Sequence, residues 1–213
     1  MKPKIFSLTI LFSAFSAFTS CQKDDLSVLG GSQSPVGEVG HTISWGPIQG
    51  VAVKGMTVTK LEGDVSTFSC SGSTTNSTYI DILKAVPTER FPGTVTISGN
   101  TVNATVNAKI TDEGAQVVFN DGSKLTLVNY NSKVGDKYSA KVGGVTLENE
   151  VIEKSTEDDF YWGGMYIKVI KVRYKSHSPG ILHVDAIYNH KFALVGLDVY
   201  LEDGTVKYIG CTC

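Results

Sequence analysis

The chain has 213 residues, of which 41% are hydrophobic and 19% charged, with a formal net charge of −2. This is an ordinary globular mix rather than a disordered one, long enough to bury one large core or two modest ones. With no excess of basic residues it argues against a nucleic-acid partner, because binding phosphate needs a basic face.

The first segment has three parts in order: Lys2 and Lys4, the apolar run "IFSLTILFSAFSAF", and the small residues "TS" before Cys21. That is the layout of a secretory signal peptide over residues 1–20. The apolar run is short and interrupted by serines, which makes it a poor membrane span. "FTSC" resembles a bacterial lipoprotein box, with Phe18 where Leu is commonest. The following "QKDD", Gln22, Lys23, Asp24 and Asp25, resembles the export signal of Bacteroidetes surface lipoproteins. The resemblance is confined to this N-terminal segment. It implies that Cys21 is acylated and becomes the mature N-terminus, and that the protein is lipid-anchored in the outer membrane, facing outwards. Each buried methylene contributes roughly 0.8 kcal/mol and two chains hold stably, so such an anchor needs no membrane-spanning helix.

Residues 21–40 read as a flexible tether, since "GGSQSPVGEVG" from Gly30 to Gly40 is Gly, Ser and Pro with little to bury. From His41 onward, alternation of apolar and polar residues dominates, as in "VAVKGMTVTKLEGD", and marks strands with one buried face. One short helix is expected near 78–86 in "STYIDILKAVP", started by Ser77 or Thr78 and stopped by Pro87. Hairpins follow: "GN" and "DG" stand between alternating runs in "TVTISGNTVNATVNAKIT" and "AQVVFNDGSKLTLV", where tight turns need positive φ. The rhythm then continues to "ALVGLDVYLEDGTVKYIG". Roughly ten to twelve strands, mostly antiparallel, predict an all-β sandwich or open barrel. A boundary near Tyr130 divides it into an N-terminal lobe, 41–130, and a C-terminal lobe, 131–213, unless the two form one continuous domain.

With Cys21 assigned to lipid, Cys70, Cys211 and Cys213 remain. A disulfide from Cys70 to Cys211 or Cys213 and unbridged thiols are both open at this point. The terminal "CTC" lacks the partners of a zinc site and the spacing of a redox motif, so neither a metal nor a cofactor is expected. His183 and Asp185, two apart on a strand, share a face and could orient an imidazole. No serine or cysteine stands in a nucleophile-elbow setting beside them. Asp158–Asp159 and Glu202–Asp203 are paired carboxylates, but adjacency alone does not give the separation that glycoside hydrolysis needs.

The segment "STEDDFYWGGMY" combines acidic and aromatic residues next to a Gly-Gly pair. A ligand site is expected there, with Tyr161 and Trp162 as an aromatic platform and Asp158 and Asp159 accepting hydroxyls. The competing reading packs these aromatics into the core at the start of the next strand. The expected function is non-catalytic ligand binding at the cell surface, with a glycan as the favoured ligand. The alternative is a structural or adhesive protein acting through protein contacts, and a secreted hydrolase has least support.

Overall fold

The alternation commits most of the chain to strands. The computed structural model describes residues 29–46, 51–176 and 180–212. In chain order the strands are β1 (Thr42–Trp45), β2 (Val51–Glu62), β3 (Val65–Thr74), β4 (Val95–Ser98), β5 (Thr101–Thr111), β6 (Gly114–Val118) and β7 (Lys124–Asn129). They continue as β8 (Lys137–Val142), β9 (Val145–Lys154), β10 (Phe160–Trp162), β11 (Met165–Ile167), β12 (Ile170–Lys175), β13 (Ile181–Asn189), β14 (Ala193–Leu201) and β15 (Val206–Thr212). Fifteen strands among the described residues exceed the ten to twelve expected. The surplus is short: β10 and β11 span three residues each and β4 four, too few for alternation to register. The expected helix is α1 (Ser77–Ala85).

Thirteen strands form one antiparallel sheet in the order β7-β6-β5-β3-β2-β1-β15-β14-β13-β12-β9-β8, with β4 added on β5. Most strands lie beside a neighbour in sequence, with β3 pairing β5 and β9 pairing β12 across intervening elements, and the sheet curls until β1 meets β15 through Ser44↔Thr212 and Trp45↔Cys211. The result is a nearly closed up-and-down barrel. Its ends, β7 and β8, face each other without a ladder.

Side chains close that seam. Asn149 Nδ2 donates to Thr126 O at 3.0 Å, and Tyr174 Oη donates to Leu127 O at 3.0 Å. Tyr138 Oη accepts from Asn129 N at 3.2 Å and donates to Ser132 Oγ at 2.7 Å. A bulge in β7 skips Leu127 in its pairing with β6 and so frees that carbonyl for Tyr174. Since the carbonyl can only accept, Tyr174 spends its proton there and Tyr188 donates to Tyr174 at 2.6 Å. Burial pushes both phenols well above their ordinary range and keeps them neutral.

Inward residues of every part of the ring, among them Val58, Phe68, Val128, Val142, Val151 and Val172, form one apolar core. The expected lobes are therefore two halves of one continuous sheet around a shared interior, with the seam at their boundary.

The tether reading fails from residue 29 onward. Leu29 and Val36 are each 3% exposed and plug one end of the barrel. Gln33 bridges to Thr111, Ser34 N donates to Ile110 O at 3.0 Å, and Ser66 Oγ donates to Gly37 O at 2.6 Å. Two apolar anchors and a set of backbone bonds suffice to order a stretch whose composition looks like a linker.

Of the two states left open for Cys70, a bridge to Cys211 is absent, since Cys70 is a free, half-buried thiol. Cys70 lies on β3 and Cys211 on β15, with β2 and β1 between them. Three strand spacings put them about 14 Å apart, far beyond a disulfide's span. Burial raises the Cys70 thiol above its usual pKa. Cys213 lies outside the described residues.

Candidate functional site

The segment between β9 and β12 makes a separate two-stranded hairpin, β10–β11, paired as Phe160↔Ile167, Tyr161↔Tyr166 and Trp162↔Met165. Gly163 and Gly164 form its turn with φ of 57° and 89°, a left-handed pair that glycine adopts without a side-chain penalty. This register divides the hairpin into two faces. Trp162, Ile167 and the half-buried Phe160 turn inwards, and Tyr161 and Tyr166 turn outwards.

The inward face docks on the outside of the barrel wall. Trp162, Ile167, Val169, Ile187 and Val195 form a second apolar cluster, with Phe160 and Phe192 packed against it. Trp162 is 9% exposed, its Nε1 donates to Cys211 O at 2.7 Å, and its ring lies 4.6 Å from that of Phe192. Trp162 is therefore a packing residue, which corrects its expected place in the ligand platform. Adjacent strand residues face opposite ways, and the hairpin spends its larger ring on docking.

The outward face carries the platform instead. Tyr161 and Tyr166 are 65% and 64% exposed, and their rings meet edge to face with centroids 5.4 Å apart. Asp158 and Asp159 are exposed in the loop leading into β10. Asp159 Oδ1 accepts from Ser155 Oγ at 2.6 Å, which fixes that carboxylate and leaves its second oxygen available. Of the four expected ligand residues, the structure thus keeps three on the surface and buries one. Tyr166 is the residue that the sequence reading missed. The Gly-Gly pair was its signal, because a two-residue turn at 163–164 sets position 166 opposite position 161.

His183 and Asp185 do share a face, on the barrel wall beside the hairpin. However, Asp185 is buried and accepts two hydrogen bonds of 2.8 Å from Arg173 Nε and Nη2. His183 Nε2 stays 3.8 Å from Asp185 Oδ1, and its ring stacks on Tyr200 with centroids 4.2 Å apart. The carboxylate that would orient the imidazole is committed to the guanidinium. Next to it, burial raises the carboxyl of Asp198, with Lys171 opposing and Asp185 and Glu153 adding to the rise. Among the described residues no three His, Cys, Asp or Glu side chains group as metal ligands, and no helix is long and apolar enough to cross a membrane. Cys21 and the Gln22–Asp25 export signal lie outside the described residues. No protein-family model, curated protein or solved structure matches this chain.

Proposed function

We propose that the protein is a lipid-anchored, outward-facing protein of the outer membrane whose role is non-catalytic ligand binding, with a glycan as ligand. The exposed Tyr161–Tyr166 pair on a hairpin pinned by buried Trp162 carries this reading. Two tyrosines present a large contact area at small entropic cost, one offering its face and the other its edge to the C–H groups of a sugar. Asp158 and Asp159 supply acceptors for hydroxyls next to that surface. The address rests on "FTSC" and "QKDD".

The adhesive alternative calls for a long uncovered strand edge or an exposed apolar patch. The two ends of the sheet are turned towards each other and joined by Tyr138, Asn149 and Tyr174, and β4 is only four residues long. Against the hydrolase reading, Asp185, the carboxylate that would orient the His183 imidazole, is bound to Arg173.

A glycan array probed with the detergent-solubilised mature chain tests the binding role. Wild type is expected to retain at least one glycan, and Tyr161→Ala combined with Tyr166→Ala to weaken it about tenfold or more without lowering the melting temperature. Equal binding by the double variant, or no binding by wild type, overturns the reading. Protease shaving of intact cells tests the address. Replacing Lys23, Asp24 and Asp25 with alanine should abolish cleavage, and equal cleavage of both forms refutes surface export.

A further inference from the structure

A second surface of the barrel is built differently from the tyrosine hairpin. β2, β3, β5 and β4 enclose an open groove of about 430 Å³, lined by Thr57, Ser69, Ser71, Thr96, Asn103 and Thr105 among others, with no charged or aromatic side chain among the described residues that line it. The two stretches that supply most of it, residues 65–80 and 91–108, contain no Asp, Glu, Lys or Arg in a chain that is 19% charged.

The polar groups are in register. Thr42 pairs with Thr57, Thr57 with Ser69, and Ser69 with Thr105, so that one hydroxyl row crosses four adjacent strands. Thr94 extends the row, with its Oγ1 2.9 Å from that of Thr105, as Thr42 Oγ1 is 3.0 Å from that of Thr57. A parallel row runs Ser71, Asn103, Thr96. Four strand steps from Thr42 to Thr94 cover about 19 Å. The Ser71 hydroxyl and the Asn103 amide are exposed at the groove, and among the described residues neither side chain has a hydrogen-bond partner.

We propose that this groove is a second binding site, for an extended, uncharged polyhydroxyl chain, a neutral glycan lying across the strands. Each lining hydroxyl both donates and accepts, and the Asn103 amide does the same from its two ends, which matches sugar hydroxyls of either orientation. An ionic ligand would give up hydration here and find no opposite charge. One strand spacing is close to the length of one pyranose unit, so successive sugars meet successive strands along the row. The site stands independently of the tyrosine hairpin, on the other half of the barrel.

The test is an amide chemical-shift titration of the full mature chain with cellohexaose, mannohexaose and maltohexaose as neutral probes and mannuronate hexamer as the anionic one. At least one neutral hexamer is expected to shift amides at Ser69–Ser71 and Asn103–Thr105, while the anionic hexamer leaves them in place. Ser71→Ala and Asn103→Ala should each weaken that neutral hexamer about fivefold to tenfold with the melting temperature unchanged. Tyr161→Ala should not alter it, which separates this site from the hairpin. Three silent neutral hexamers, equal binding of the anionic one, or full affinity in both alanine variants overturns the proposal. Shifts confined to Thr96 and Ser98 on β4, the pattern of a peptide strand adding to its free edge, overturn it as well.

Discussion

The two halves of the barrel share an interior and differ outside. On the N-terminal half the outer face around the groove is Ser, Thr and Asn held by hydroxyl contacts such as Thr59–Ser69 at 3.0 Å and Thr67–Asn107 at 3.0 Å, and the ion pairs Lys60–Glu62 and Lys109–Asp64 lie beyond it towards the β2–β3 turn. On the C-terminal half it is an ion-pair lattice. Lys137 and Lys175 converge on Glu148, Lys171 meets Glu153, and Arg173 clamps buried Asp185. Beside that lattice the wall turns apolar at Ile187 and is covered by the β10–β11 hairpin. Inward residues carry the fold in both halves in the same way, so the outer residues are free to differ. One face is left bare and neutral, and the other is charged and roofed.

The roof gives the largest expected effect. Trp162→Ala removes a buried ring, its tilted contact with Phe192 and its bond to Cys211 O, and should cost about 3–5 kcal/mol, a drop of about 6–20 °C in melting temperature. A loss under about 1 kcal/mol would mean that the hairpin does not close that half, and the contrast with the bare face would collapse. Next comes the seam where the halves meet. Tyr174→Phe leaves Leu127 O and the Tyr188 hydroxyl without their shared partner and should cost about 1–3 kcal/mol in denaturant unfolding. No loss would show that the halves are held at β1–β15 alone.

The smallest effect sharpens the charged face. Asp198 carries a raised carboxyl pKa, chiefly from burial, so its ionised form disfavours the folded state. The folded chain holds that proton more tightly than the unfolded one, and stability is lost as pH rises from the ordinary Asp value through the raised one. Asp198→Asn should therefore raise the melting temperature slightly near pH 7, with the gain fading at about pH 3, where both states are protonated. A gain that persists at the acid end would mean that the charge of Asp198 is not its source.

The legible parts of this molecule are those written in local pattern. Alternation revealed the long strands, "GN" places its turn between Ser98 and Thr101, and Ser77 and Pro87 frame the helix. What was hidden depends on partners far along the chain. Tyr138, Asn149 and Tyr174 close the barrel through side chain to backbone bonds, which leave no periodic trace. Leu29 and Val36 are two apolar residues in a Gly- and Ser-rich run, and only the barrel end that receives them distinguishes a plug from a linker. Whether Trp162 or its neighbours face outwards depended on which side of the hairpin docks. The separation of Cys70 from Cys211 needed the strand order. The neutral groove did have a trace, the charge-free stretches, but its meaning required knowing that β2, β3, β5 and β4 lie side by side.

The plug has a mechanical consequence. If lipid is attached at Cys21, eight peptide steps separate it from Leu29, a reach of at most about 29 Å. That is a short leash for a barrel, and it ends in a knot rather than a slack chain. A pull on the lipid end arrives at Leu29 and is borne by the Gln33–Thr111 bridge and the Ser34–Ile110 and Ser66–Gly37 bonds. With such an anchor the end of the barrel at Leu29 and Val36 would be the one nearest the bilayer, and the side walls, with the tyrosine pair and the neutral groove, would be left open to ligands.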